Sequence, residues 1–123
     1  MSDAGLFCKV NHAKDPDNKE PLEQKHLAVI ELPDKIKAGE TFDVKIKVGE
    51  ISHPNENGHF IQWIELYVGY VYLGRFDFAP VMTKPEITIP LTLGHENMKV
   101  TLQAITRCNL HGMWESKTEV EIQ

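Results

Sequence analysis

"TFDVKIKV", residues 41–48, alternates without a slip: Phe42, Val44, Ile46 and Val48 fall on one side, and Thr41, Asp43, Lys45 and Lys47 on the other. A period of two is what a strand with one buried face requires. The alternation returns in "EITIPLTL" (86–93), where Ile87, Ile89, Leu91 and Leu93 oppose Thr88, Pro90 and Thr92. It returns again in "MKVTLQAI" (98–105), with Met98, Val100, Leu102 and Ala104 expected inward. Pro90 has no N–H to give to a ladder, so its strand belongs at a sheet edge.

Four further strands are expected at "LAVIEL" (27–32), "HFIQWIELYV" (59–68), "YVYLGRFDF" (70–78) and "KTEVEI" (117–122). Turn-forming stretches separate them: "LPDKIKAGE" (32–40), Gly69, "APVMTKPE" (79–86), "LGHEN" (93–97) and "NLHG" (109–112). About seven short strands at this spacing, with no helical period, predict an all-β fold: an immunoglobulin-like antiparallel β-sandwich. Residues 1–25 are polar and carry Pro16 and Pro21, and read as a lead-in that wraps the sandwich or carries one short turn. No internal repeat stands out.

A chain of 123 residues, 41% hydrophobic and 25% charged, has the size of one domain with its own core, so residues 1–123 are expected to form a single unit. Its net charge is −5 and its basic residues are scattered, which argues against nucleic acid and anionic membranes as partners. No apolar run nears the length of about 20 residues that crosses a bilayer, and the start lacks a basic-then-apolar leader pattern. A cytoplasmic protein is the expectation.

Two cysteines, Cys8 and Cys108, could form a single disulfide. In a reducing compartment, a lone cysteine near histidines is more often a ligand or a nucleophile. Six histidines are present, and any one alone reads as a solvated polar side chain. His53 and His59, however, bracket the loop "HPNENGH", and His111 sits three residues after Cys108 in "CNLHG". Loops at the end of a rigid sandwich can bring such residues together. Thiolate and imidazole together suit zinc, copper or iron, not magnesium or calcium.

Three metal readings follow from these residues. A blue-copper electron carrier would use two histidines, Cys108 and a weak axial Met113. A structural zinc would close on His53, His59, Cys108 and His111, although a sandwich of this size has core enough to fold without it. Iron would take more than four ligands and keep one position open. Beside these stands a structural module whose histidines are incidental.

"HPNENGHFIQWIELYV" (53–68) followed by "CNLHGMWE" (108–115) resembles the superoxide reductases, also called neelaredoxins or desulfoferrodoxins, and the likeness runs from about residue 23 to the carboxyl end. The resemblance implies a mononuclear non-haem iron with four equatorial imidazoles and one axial thiolate. Carried over by position, the ligands are His53, His59, His111 and Cys108, with His26 supplied by "QKHLA", which looks like the family's Glu-Lys-His-x-Pro motif. His12 and His95 have no counterpart and are expected at the surface. Cys8 has no Cys-x-x-Cys partner, so the chain is similar to the one-iron members.

The implied reaction gives superoxide one electron and two protons to form hydrogen peroxide. It needs a metal cycling between Fe2+ and Fe3+, which zinc cannot do. The implied donor is rubredoxin or a similar small protein, and the implied assembly is a homodimer or homotetramer. Lys25 would steer the anionic substrate toward the position opposite the sulfur. Backbone N–H groups of Leu110 and His111 would tune the thiolate. The sequence departs from the motif in two places, with Gln24 where the family has glutamate and Ala28 where it has proline. In the family that glutamate can take the sixth position of ferric iron. Either Gln24 leaves water or hydroxide there, or a one-residue shift brings Glu23 to it.

Overall fold

In the computed structural model, which describes residues 3–94 and 98–123, the chain folds as two packed sheets. A 3-10 helix, Asp3–Phe7, is followed by β1 (Val10–Asn11), a short helix α1 (Pro21–His26), β2 (Ala28–Glu31), β3 (Thr41–Val48), β4 (Ile61–Val68), β5 (Val71–Asp77), β6 (Glu86–Thr92), β7 (Lys99–Cys108) and β8 (Gly112–Glu121). One sheet has the order β1-β8-β7-β4-β5 and the other β2-β3-β6. All seven strands expected from the period of two are present. Among the described residues no helix is long and apolar enough to cross a membrane.

The stretch 41–48 forms β3 over its whole length, with Val44, Ile46 and Val48 buried and the lysines outward. Facing them across the sandwich are Ile64 and Leu66 of β4, Leu102 and Ala104 of β7 and Val120 of β8, all in one apolar cluster. Burying such side chains is worth about 1.5–3 kcal/mol each, and this supplies most of the drive to close the two sheets. Pro90 lies opposite Asp43 on β6, an edge strand, as its missing N–H demands.

The structure corrects several expectations. The sheets are not wholly antiparallel, because β1 runs parallel to β8 with Val10 opposite Met113. The buried Asn11 fixes that strand by donating from Nδ2 to the carbonyls of Leu6 and Met113, at 2.9 Å each. Met98 is 46% exposed instead of inward, since β7 begins only at Lys99. The lead-in also contains a true helical turn, α1, whose six residues are too few to show a period.

At its other end β7 runs three residues past the expected limit of 105, and this matters for the site. The inward series Leu102, Ala104, Thr106 continues to Cys108 and delivers the sulfur, fully buried, at the end of the core. Opposite it, β4 carries an extra residue between Ile61 and Trp63, so that Ile61 pairs with Cys108 while Trp63 pairs with Arg107. A bulge of this kind bends the strand and re-aims its neighbours. Here it lies beside the loop that carries His59.

Candidate metal centre

Four imidazoles close a ring at the end of the sandwich. Centroids are 4.7 Å apart for His26 and His53, 4.7 Å for His53 and His59, 5.2 Å for His59 and His111, and 4.8 Å for His111 and His26. Cys108 Sγ lies 3.6 Å from His111 Nδ1. One donor atom each from His26, His59, Cys108 and His111 falls within 4.8 Å of all the others, and His53 joins through its contacts with His26 and His59.

Each member is set by its own element. His26 ends α1, and its carbonyl accepts the buried Thr106 hydroxyl at 3.3 Å. Gly49 lets α1 approach, because a Cβ there would stand 2.4 Å from the carbonyl oxygen of Gln24. His53 precedes Pro54 in the loop after β3. His59 is held by a two-way backbone bridge with Glu56, at 2.9 and 3.1 Å. Cys108 and Gly112 pair across the β7–β8 turn, where Gly112 adopts φ +77° and a Cβ would stand 2.5 Å from the Leu6 carbonyl oxygen. Trp114, next on the inward face of β8, stacks on His26 with centroids 5.0 Å apart and donates its indole N–H to the His111 carbonyl at 3.0 Å.

The hydrogen bonds fix which nitrogens face inward. His26 Nδ1 lies 2.7 Å from the Leu22 carbonyl, and His53 Nδ1 lies 2.6 Å from the Pro54 carbonyl. A carbonyl only accepts, so both Nδ1 atoms carry the proton and both Nε2 atoms carry lone pairs. These two Nε2 atoms are 3.1 Å apart with no proton between them. His59 Nε2 is buried and has no hydrogen-bond partner. Facing lone pairs and an orphaned buried nitrogen both cost free energy, and a cation bound to all three removes both costs. The spacing also fits: metal–imidazole bonds of about 2.1 Å at right angles put neighbouring nitrogens about 3 Å apart.

Electrostatics point the same way. Burial, reinforced by the neighbouring imidazoles, pushes His26 and His53 down to about 4, and burial lowers His59 as well. Neutral imidazole is the ligand form. Burial pushes the Cys108 thiol up, while hydrogen bonds from the N–H groups of Leu110 and His111 and the charge of Arg107 pull it back. In the metal-free chain the histidine shifts have a sign that can be checked. Unfolded histidines take protons near 6.5 and the folded pair only near 4, so stability is full above about 6.5 and falls as the pH drops from there toward 4. Urea titrations of metal-free protein at pH 7.5 and 5 are expected to show a lower midpoint at pH 5.

The remaining candidates lie elsewhere. Glu23 is buried and both of its oxygens are engaged, Oε1 by the Glu20 N–H at 2.9 Å and Oε2 by the Lys14 N–H at 3.0 Å. The Glu20 hydrogen bond, against some burial cost, holds its carboxyl below the usual carboxylate range. Moving it to a metal would unmake the first turn of α1. Glu23 and Gln24 both line a cleft of about 570 Å³ whose walls include His12, Lys19 and Glu50 and none of the five converging side chains. Lys25 is exposed, and its charge is felt by His26 and His59. His12 is exposed, as expected, and His95 lies outside the described residues. Cys8 and Cys108 are not joined: Cys8 is exposed and Cys108 buried. Met113 alternates with the buried Gly112 and Trp114, which directs it to the other face of β8 and removes the axial ligand of the copper reading.

Residues 18–117 match the desulfoferrodoxin family. The chain belongs to that family. It is 43% identical over 118 residues to a putative superoxide reductase of Methanocaldococcus jannaschii, covering 95% of this chain and 97% of the relative. It is 35% identical over 117 residues to a superoxide reductase of Pyrococcus furiosus, covering 80% and 90%. Among solved structures, a superoxide reductase (neelaredoxin) from Ignicoccus hospitalis superposes with a TM-score of 0.79 at 36% identity, over all of both chains. Two features of this desulfoferrodoxin-family site were missed in the sequence reading. Trp114 shares the period of two with Gly112, a signal that was available. Asn109 stood inside the "CNLHG" motif that carried the resemblance, but no role was assigned to it.

Proposed function

We propose that residues 1–123 act as one iron-binding unit, a superoxide reductase, in which His26, His53, His59, His111 and Cys108 would hold the ion. The observation that carries this reading is the closed square of imidazoles with the facing Nε2 atoms of His26 and His53 3.1 Å apart. Zinc satisfied by four donors would leave a fifth unused, whereas iron would accept all five.

Iron held by these residues would supply one-electron chemistry between Fe2+ and Fe3+, and reducing superoxide to hydrogen peroxide would consume that electron and two protons from water. The neutral imidazoles hold the ion without cancelling its charge, which suits an anionic substrate. Cys108 donates electron density from the buried side, and the N–H groups of Leu110 and His111 limit how much. Lys25 adds to an acidic protein a positive charge that is felt by His26 and His59, and draws superoxide in. Glu23 is engaged in α1 and Gln24 is neutral, so neither side chain would add a carboxylate to the ion's donor set.

Electrons come from rubredoxin or a similar small protein in the cytoplasm, and the chain assembles as a homodimer or homotetramer. The edge strand β5 supports assembly, since it leaves Val71, Tyr72 and Phe76 about half or more exposed beside the fully exposed Tyr70. Lys25→Ala is expected to lower the second-order rate with superoxide about tenfold at low salt and to flatten its salt dependence. Stopped-flow at several ionic strengths checks this; an unchanged rate at every salt would assign Lys25 no steering role. Purified protein is expected to hold one iron per chain, and stoichiometric zinc in protein from its native source would overturn the assignment.

A further inference from the structure

Asn109 follows the axial candidate Cys108 directly and reaches across to the loop that carries His59. Its main-chain N–H donates to the Phe60 carbonyl at 3.2 Å, its Oδ1 accepts from the Phe60 N–H at 2.9 Å, and its Nδ2 donates to the Gly58 carbonyl at 2.9 Å. The residues bonded are those on either side of His59. An amide side chain is needed because one end must accept and the other donate. Serine is too short to span both, and aspartate has no donor for the Gly58 carbonyl.

We infer that Asn109 is a positioning residue that locks His59 to Cys108, so that the imidazole and the thiolate are placed relative to each other by a single side chain. The other three imidazoles have separate anchors: Leu22 and Trp114 for His26, Pro54 for His53, and Trp114 through the carbonyl for His111. His59 has no comparable anchor on its ring, whose Nε2 lacks a partner, so its place depends on its backbone. That backbone is tied to the Cys108 turn by Asn109. Outer contacts of this kind typically change metal affinity by about 10–100-fold when removed.

This inference rests on the ligand set proposed above, and Co2+ binding by the metal-free full chain tests it without requiring turnover. Asn109→Ala is expected to weaken Co2+ at least about tenfold in the otherwise natural chain and equally in a His26→Ala background. In a His59→Ala background it is expected to cost less than about twofold, because the residue it positions is gone. Asn109→Asp, which keeps the acceptor for the Phe60 N–H, is expected to follow the same pattern with a smaller loss. Equal losses in all three backgrounds would mean general loosening and overturn the inference, as would no loss in the natural chain. If His26→Ala, His59→Ala and Cys108→Ser all left Co2+ affinity unchanged, the ligand set itself would fail, and the inference with it.

Discussion

Replacing Cys108 by serine is expected to erase the thiolate-to-ferric absorption band of the oxidised protein and to cut superoxide reduction by at least about 100-fold, since even indirect partners of a metal cost about 10–100-fold when lost. The sulfur is fully buried at the end of β7. Serine is nearly isosteric, so the core around Ile61 and Thr106 should stay intact and the midpoint of metal-free unfolding should move little. Optical spectra and urea titrations of the two proteins make the comparison. Persistence of the band in Cys108→Ser would remove Cys108 from the ligand set.

Gly49→Ala should produce the largest change in stability of any single methyl addition at the described glycines away from the β7–β8 turn. The added Cβ would lie 2.4 Å from the Gln24 oxygen and 2.8 Å from the Lys25 carbonyl carbon, both backbone atoms that no rotamer change can move. Either the turn after β3 or α1 must shift, and α1 ends in His26. A loss of about 2–3 kcal/mol is expected, the upper range for overpacking, together with weaker metal binding. Gly74→Ala on β5 is the control: a Cβ there meets nothing within 4 Å, and stability should stay within about 0.5 kcal/mol of the natural chain. Chemical denaturation of the three proteins decides; equal midpoints would show that α1 is free to give way.

Much of the fold was legible because burial on one face imposes a period of two, and β3 and β6 display it almost residue by residue. Pro90 marked its edge for an equally local reason, the missing N–H. The lead-in was less legible. β1 is two residues held by the Asn11 side chain, and α1 depends on Glu23 accepting two backbone N–H groups, one of them nine residues away. Neither leaves a pattern in hydrophobicity. Within the site, His53, His59, Cys108 and His111 drew attention through their spacing in two loops, whereas His26 entered only through the family motif. The reason is topological: the turn after β3 and the β7–β8 turn close over the end of α1, and nothing near His26 in sequence announces them.

Glu23 shows how little residue type alone says about a side chain's role. A carboxylate beside "QKH" reads as a ligand candidate by type and position, but type does not say which way a side chain faces on a six-residue helix. Its hydrogen bonds to Lys14 and Glu20 turn it to the far side of α1, and they make it part of what holds His26 in place.

This site is expected to reduce superoxide and not to dismute it. Anaerobic ferrous protein mixed with a limiting amount of superoxide should yield one molecule of peroxide for each superoxide consumed, with no dioxygen released and one ferrous ion oxidised each time. Release of dioxygen with half that yield of peroxide would contradict it.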